Sequence, residues 1–193
     1  MSLASDPLQQ FAEWYAEAKD SEPLAHAMAL STVSTDGQPT SRMVLLKGHD
    51  EKALEFYTNY DSAKAEDMTH EPRVALLFYW SSLRRQVTFE GRAVRVSTAE
   101  SEEYWKTRPR GSQLAAWAST QSAEIANKAV LEEAVEKYNQ QFPDDVPLPP
   151  NWGGYRVEPQ RVEFFISQQD RLHDRFLYAR AAHGGWHMTR LSP

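Results

Sequence analysis

The stretch Ala27-Met-Ala-Leu-Ser-Thr-Val-Ser-Thr35, followed by Asp36-Gly37 and then by Ser41-Arg42-Met43-Val44-Leu45-Leu46-Lys47, decides the fold. Apolar and β-branched residues flank an Asp-Gly pair, and Asp-Gly accepts the positive φ of a tight turn, so the pattern is a β-hairpin. Its return strand carries Arg42 and Lys47 at the two ends of an apolar core run. Working outward, Ala53 to Asn59 reads as a strand. Arg73 to Trp80 is a nearly continuous apolar run, as a central strand requires. After a Ser81-Ser82 turn, Arg84 to Ser97 is a long strand with Gln86, Thr88 and Glu90 on one side and Val87 and Phe89 on the other. Gly91 marks a bulge. Gly154 to Ile166, with Pro159 as an interruption, and Arg171 to Arg175 supply further strands. Gly184-Gly185 turns the chain into the last one, Trp186 to Leu191.

Helices are inserted into this succession rather than alternating with it. Residues 6–19 form an amphipathic helix capped by Ser5 or Asp6, with Pro7 at its start and Leu8, Phe11, Tyr15 and Ala18 on one face. Ser62 caps a short helix beginning Ala63-Lys64-Ala65-Glu66. Ala99 to Arg108 forms another, ended by Pro109. A further helix runs from Gln121-Ser122, with Ser122 as cap, to about Gln141. Pro143 to Pro150 is a linker, and Trp152-Gly153-Gly154 reads as a turn. The fold class is mainly β with helices (α+β), an antiparallel barrel with packed helices rather than an alternating α/β sheet. One domain spans 1–193, with an N-terminal helix in 1–20, a helical insertion at 98–141 and C-terminal strands at 153–193.

The formal net charge of -6 in 193 residues argues against a nucleic-acid binder with a uniformly basic surface. There is no cysteine, hence no disulfide, thiolate metal site or cysteine nucleophile, which fits the cytoplasm. No run approaches the roughly 18 apolar residues of a membrane span, and Met1 to Asp6 lacks a signal-peptide pattern. His183 and His187 flank a Gly-Gly turn, so they do not make a helical metal pair, and no metal is expected. Neither a Gly-x-Gly-x-x-Gly nor a P-loop signature occurs.

Three clusters point to anions. Arg171-Leu172-His173-Asp174-Arg175, read as a strand, places Arg171, His173 and Arg175 on one face, which suits a planar anionic ligand or is simply a solvated face. Lys64 in the first turn of a helix, beside free backbone N–H groups, makes either a phosphate site or a surface helix with a solvated lysine. Tyr104 and Arg108 are helix neighbours with Ser112 just beyond. They make a phosphate site or ordinary helix-end charge.

Together with Phe56-Tyr57-Thr58-Asn59, Arg85-Gln86-Val87, Arg108-Pro109-Arg110, Gln121-Ser122, Val146-Pro147-Leu148-Pro149, Trp152-Gly153-Gly154 and Arg190-Leu191-Ser192-Pro193, these segments resemble the pyridoxine/pyridoxamine 5'-phosphate oxidase family over nearly the whole chain. The resemblance implies a homodimeric split β-barrel with FMN at the subunit interface. It implies oxidation of pyridoxamine or pyridoxine 5'-phosphate to pyridoxal 5'-phosphate, with O2 reduced to H2O2. By the same resemblance, Arg42, Met43, Val44, Leu45, Leu46, Lys47, Tyr57, Thr58, Lys64, Gln86, Gln121, Ser122, Phe165 and Arg175 contact FMN. Lys47, Tyr104, Arg108 and Ser112 hold the substrate phosphate, and Arg171 and His173 face the substrate ring as the catalytic pair. Two positions depart from the family pattern. Ala63 stands where a basic residue is frequent, and Phe165 stands where a tryptophan is. The chain also starts close to its first helix, without the longer basic arm of many members. The other readings are a split-barrel flavoenzyme for another amine or a cyclic metabolite precursor, and a flavin- or pyridoxal-phosphate-binding protein without turnover.

Overall fold

Asp6 starts the first helix, α1 (Pro7–Ser21), because its side chain accepts the otherwise unpaired amide of Leu8 at 2.8 Å. The computed structural model describes residues 3–193; Met1 and Ser2, part of the expected 1–20 segment and of the signal-peptide reading, lie outside the described residues. The face that α1 buries is wider than its spacing suggested. Leu8, Phe11 and Ala18 are joined by Trp14, while Tyr15 is only partly buried. Phe11 lies 5.0 Å from both Phe78 and Phe89 and closes the core of the sheet beneath it.

The sheet contains β1 (Ala27–Val33), β2 (Pro39–Leu45), β3 (Gly48–His49), β4 (Leu54–Asn59), β5 (Arg73–Trp80), β6 (Arg85–Arg95), β7 (Trp152–Ile166), β8 (Asp174–Arg180) and β9 (Trp186–Leu191). Its order is β2-β1-β5-β6-β7-β4-β3, with β8 on β7 and β9 on β8. Every pairing is antiparallel, as the hairpin succession requires. Gly37 has φ +86 at the first hairpin turn, which is why glycine follows Asp36. The register slips between Glu90 and Gly91, where a Cβ would stand 2.3 Å from the Glu158 carbonyl oxygen. Gly91 thus marks the bulge, whose extra residue is Gln160 of β7. Pro159 does not interrupt β7, because it adjoins that bulge at a point where neither β4 nor β8 pairs with it.

Several expectations are corrected. The run after Arg42 is core on one side only: β2 is an edge strand, with Val44 and Leu46 turned to the core but Met43 63% and Leu45 41% exposed. Trp152-Gly153-Gly154 is not a turn but the start of β7. Its glycines are there because a Cβ at Gly153 would stand 2.2 Å from the Tyr60 hydroxyl and one at Gly154 2.7 Å from the Tyr57 ring. Arg171 is not in a strand. Gln169–Arg171 is a 3-10 turn with Asp170 at φ 55 and Arg171 at φ 61, and β8 starts only at Asp174, so the alternation of Arg171, His173 and Arg175 does not hold.

The helices α2 (Ala63–His70), α3 (Thr98–Lys106), α4 (Arg110–Ala118) and α5 (Ala129–Gln141) also differ in detail. Ser62 stands at the N-cap of α2, but its hydroxyl donates to the Asn59 carbonyl at 2.7 Å instead of capping. Pro109 ends one helix and also caps the next, α4, which holds Ser112 and was not foreseen. Ser122 does not cap α5. It has φ 76 and turns to α2, where its Oγ accepts the Ala63 amide at 3.3 Å. Trp105 of α3 and Leu114 of α4 form a second apolar cluster with Val146 of the linker and Trp152 of β7, which borders the site.

Candidate active site

Two groups of the expected residues form, at different places on β7. The first surrounds a cavity of about 370 Å³ lined by Met43, Val44, Leu45, Lys47, Tyr57, Thr58, Lys64, Tyr104, Arg108, Pro109, Ser112 and Gln121. Edge strand β2 supplies one wall, β4 the floor, and the α3–α4 junction the other wall. No carboxylate is among these residues, yet Lys47, Lys64 and Arg108 all are. Leu46 alternates away into the core, at 4% exposure, and its amide donates to the His26 carbonyl.

Lys64 is the best-held cation of this group. Its Nζ donates to Gln121 Oε1 at 2.7 Å, Ser62 Oγ at 3.0 Å and Thr58 Oγ1 at 3.1 Å, all neutral acceptors. Burial, with the Arg42 charge nearby, pulls its pKa down to about 8. Arg42 lies just behind, donating to Thr32 Oγ1 at 2.6 Å and standing 3.7 Å from the buried Asp67 of α2. Arg108 donates to the Ser112 carbonyl at 3.0 Å, but its Nε is buried without an acceptor. Burial lowers its pKa as well. Tyr57 and Tyr104 stack at 4.0 Å, and burial raises the Tyr57 pKa to about 12, so its hydroxyl stays protonated. Desolvated cations with neutral partners around one cavity lack only an anion.

The second group is a cross-strand row. Gln86 on β6 opposes Phe165 on β7, which opposes Arg175 on β8. Glu163 holds Arg175 through contacts of 2.7 and 3.2 Å. His173 lies 4.9 Å from the Phe165 ring, and its Nδ1 accepts the Gln168 amide at 3.0 Å, so the neutral ring carries its proton on Nε2. Arg171 stands at the tip of the same loop, exposed. Tyr57 pairs with Gly154, and Gln86 with Phe165 eleven residues further along β7, roughly 36 Å of extended strand. The first cavity includes none of the second group. A larger apolar groove of about 490 Å³ runs past Ser31, Ala75 and Gly91. Two of its arginines are already paired, Arg73 with Glu71 and Arg161 with Glu90, so it offers no converging free charge. Among the described residues no histidine–carboxylate cluster suits a metal, and no helix is long and apolar enough to cross a membrane.

An antiparallel barrel-type sheet with a cationic, carboxylate-free cavity defines a class: a split-barrel protein whose cavity suits an anion. The family model described as pyridoxamine 5'-phosphate oxidase matches residues 15–142, and that of the pyridoxine 5'-phosphate oxidase C-terminal dimerisation region matches 152–193. A pyridoxine/pyridoxamine 5'-phosphate oxidase of Cupriavidus pinatubonensis is 48% identical over 192 residues, 99% of this chain and 91% of the relative. Pyridoxine/pyridoxamine 5'-phosphate oxidase 1 of Ralstonia nicotianae is 49% identical over 189 residues, 97% and 89%. The solved structure of PhzG from Burkholderia lata 383 in complex with tetrahydrophenazine-1-carboxylic acid has a TM-score of 0.93 at 29% identity, covering 98% of this chain and 94% of that one. A pyridoxamine 5'-phosphate oxidase-related, FMN binding protein from Nostoc punctiforme PCC 73102 shares the fold, with a TM-score of 0.80 at 22% identity over 100% of both chains. The chain belongs to the pyridoxamine 5'-phosphate oxidase family, a family of FMN-binding split-barrel oxidoreductases.

Proposed function

We propose that this protein is a cytoplasmic FMN-dependent oxidase that converts pyridoxamine and pyridoxine 5'-phosphates to pyridoxal 5'-phosphate, and that its site is completed by a second copy of the chain. One observation carries the reading: Lys47, Lys64 and Arg108 line one cavity that holds no carboxylate. The residues fit FMN. Lys64, Thr58, Gln121 and Ser122 converge on the first turn of α2, where a phosphate would meet the Lys64 ammonium at the positive end of the helix, the Ala63 amide being engaged by Ser122. When bound, FMN supplies the two-electron acceptor and is returned to its oxidised form by oxygen.

The chain's own residues bind and orient. Lys47, Tyr104, Arg108 and Ser112 hold the substrate phosphate and so fix the position of the ring. Arg171 covers the ring, and His173 donates from Nε2 to a ring oxygen. With Nδ1 held by the Gln168 amide, His173 presents Nε2–H as a donor and is not assigned as the general base. Gln86, Phe165 and Arg175 of a second copy complete the cofactor site. They share an outward sheet face with the exposed Met43, Leu45 and Tyr79, and β7 to β9 lie within the family's dimerisation region. Ala63 brings no charge to the cofactor phosphate, which leaves Lys64 and Arg42 as its cations.

The test is anaerobic. Protein loaded with FMN and mixed with pyridoxamine 5'-phosphate is expected to lose flavin absorbance and to regain it in air, with pyridoxal 5'-phosphate formed. The likeness to PhzG favours a second reading, oxidation of a reduced tricyclic carboxylate. Bleaching by a tetrahydrophenazine carboxylate alone would establish that reading instead. No bleaching by either, with FMN bound, would leave a binding protein.

The cofactor half has its own pH signature. Free Lys64, with its pKa near 8, must be protonated to pair with a phosphate dianion, so binding takes up a proton above that pH. The FMN Kd, read from flavin fluorescence, is expected to stay flat from pH 7 to 8. It should then weaken by up to about tenfold per unit as pH rises further. Lys64→Met should bind more weakly and lose the slope. An unchanged slope in that variant would remove Lys64 from the cofactor phosphate.

A further inference from the structure

Tyr104 and Arg108 rest on a shared support. Trp152, the first residue of β7, is 5% exposed. Its ring lies nearly parallel to that of Tyr104, 6.1 Å away at 7°, and to that of Tyr57, 5.6 Å away at 15°. The Arg108 guanidinium carbon stands 4.5 Å from the centre of the Trp152 ring and 5.4 Å from that of Trp105. Trp105 meets Trp152 edge-on at 4.9 Å and is itself anchored through Nε1 to the Val146 carbonyl at 2.8 Å. The depth of Trp152 is set next door, since Gly153 and Gly154 let β7 press against Tyr60, Ser101 and Tyr57.

The way this support holds Arg108 matters. A carboxylate would occupy the guanidinium's N–H fork, whereas an aromatic ring attracts the flat face of the cation and leaves its edge free. Arg108 donates only to the Ser112 carbonyl, and its Nε has no acceptor. A half-buried cation is thus stabilised without using up the donors that a phosphate needs.

We propose that Trp152 is a positioning residue of the substrate-phosphate clamp: it holds the Arg108 guanidinium flat with its N–H edge turned to the cavity. This rests on the clamp reading above. It adds that preference for a phosphorylated substrate depends on the start of β7 as well as on the α3–α4 junction.

The test uses FMN-loaded Trp152→Leu and Trp152→Phe, each alone and combined with Arg108→Ala. Trp152→Leu is expected to raise the KM for pyridoxamine 5'-phosphate about tenfold, with kcat within about twofold of the parent. Trp152→Phe keeps a ring and the local packing, and should raise KM about threefold. Neither substitution should raise KM further in the Arg108→Ala background, because its effect passes through Arg108. The Kd for FMN should stay unchanged, which a general loss of structure would not allow. An Arg108→Ala KM that is raised, and raised again by Trp152→Phe or Trp152→Leu, overturns this inference alone. An Arg108→Ala KM equal to the parent's overturns the clamp reading and this inference with it. If Trp152→Leu fails to fold, the Trp152→Phe pair decides by the same criterion.

Discussion

Arg108→Ala is expected to raise the KM for pyridoxamine 5'-phosphate about a hundredfold while leaving kcat within about threefold, as loss of one desolvated charge-assisted contact does. The magnitude follows from where the guanidinium sits. Arg108 is half-buried, with its guanidinium carbon 4.5 Å from the Trp152 ring centre, and has one buried N–H without an acceptor. Part of the cost of desolvating it is already met in the folded protein, so less is lost again when a phosphate arrives. An exposed arginine at the same distance would be worth far less, because water would screen it. The split between KM and kcat follows from chemistry, since the phosphate is bound before and during reaction alike. Pyridoxamine without its phosphate is the control, and Arg108→Ala should leave its already poor kcat/KM unchanged. A KM near the parent's, or an equal loss on both substrates, would contradict the assignment of Arg108. Removing the side chain also uncovers the Trp152 ring, so a thermal melt should accompany the kinetics.

Much of this arrangement is legible in the residues themselves. Asp36-Gly37 between two apolar runs places the first hairpin, Gly91 the bulge between β6 and β7, and Asp6-Pro7 the start of α1, because each obeys a local rule of backbone geometry. Lys64 and the Tyr104–Arg108 pair read equally as anion ligands or as ordinary surface charge, and the structure brings them, with Lys47, to one cavity. The failures are equally physical. Strand alternation breaks at Arg171 because Asp170 and Arg171 adopt left-handed conformations that the side-chain pattern does not announce. Gly153 and Gly154 look like a turn, but they are small because Tyr57 and Tyr60 press on them from distant segments. Ser122 resembles a helix cap and does serve one, though that of α2 rather than α5. Trp152 carried no signal of its own, since an aromatic platform is recognised only once Arg108 lies over it.

The separation of the two groups along β7 is the feature least visible in one dimension. It leads to the second large effect. In a chain joined to a second copy through β7 to β9, the Arg108 group of one copy would face the Arg171–Arg175 group of the other. Arg108→Ala and Arg171→Leu should each depress activity at low substrate by about two orders of magnitude, the first through KM and the second through flavin reduction. Co-expressed with different tags and purified on both, they form a heterodimer whose two sites are unequal. One site carries both defects and the other carries none. The measurement that tests the account most directly is turnover of this heterodimer, with the substrate held below the parental KM. The account predicts about half the parental rate per dimer, far above either variant alone. A rate no higher than the mean of the two variants would place both groups in a site built from a single chain, and would contradict it.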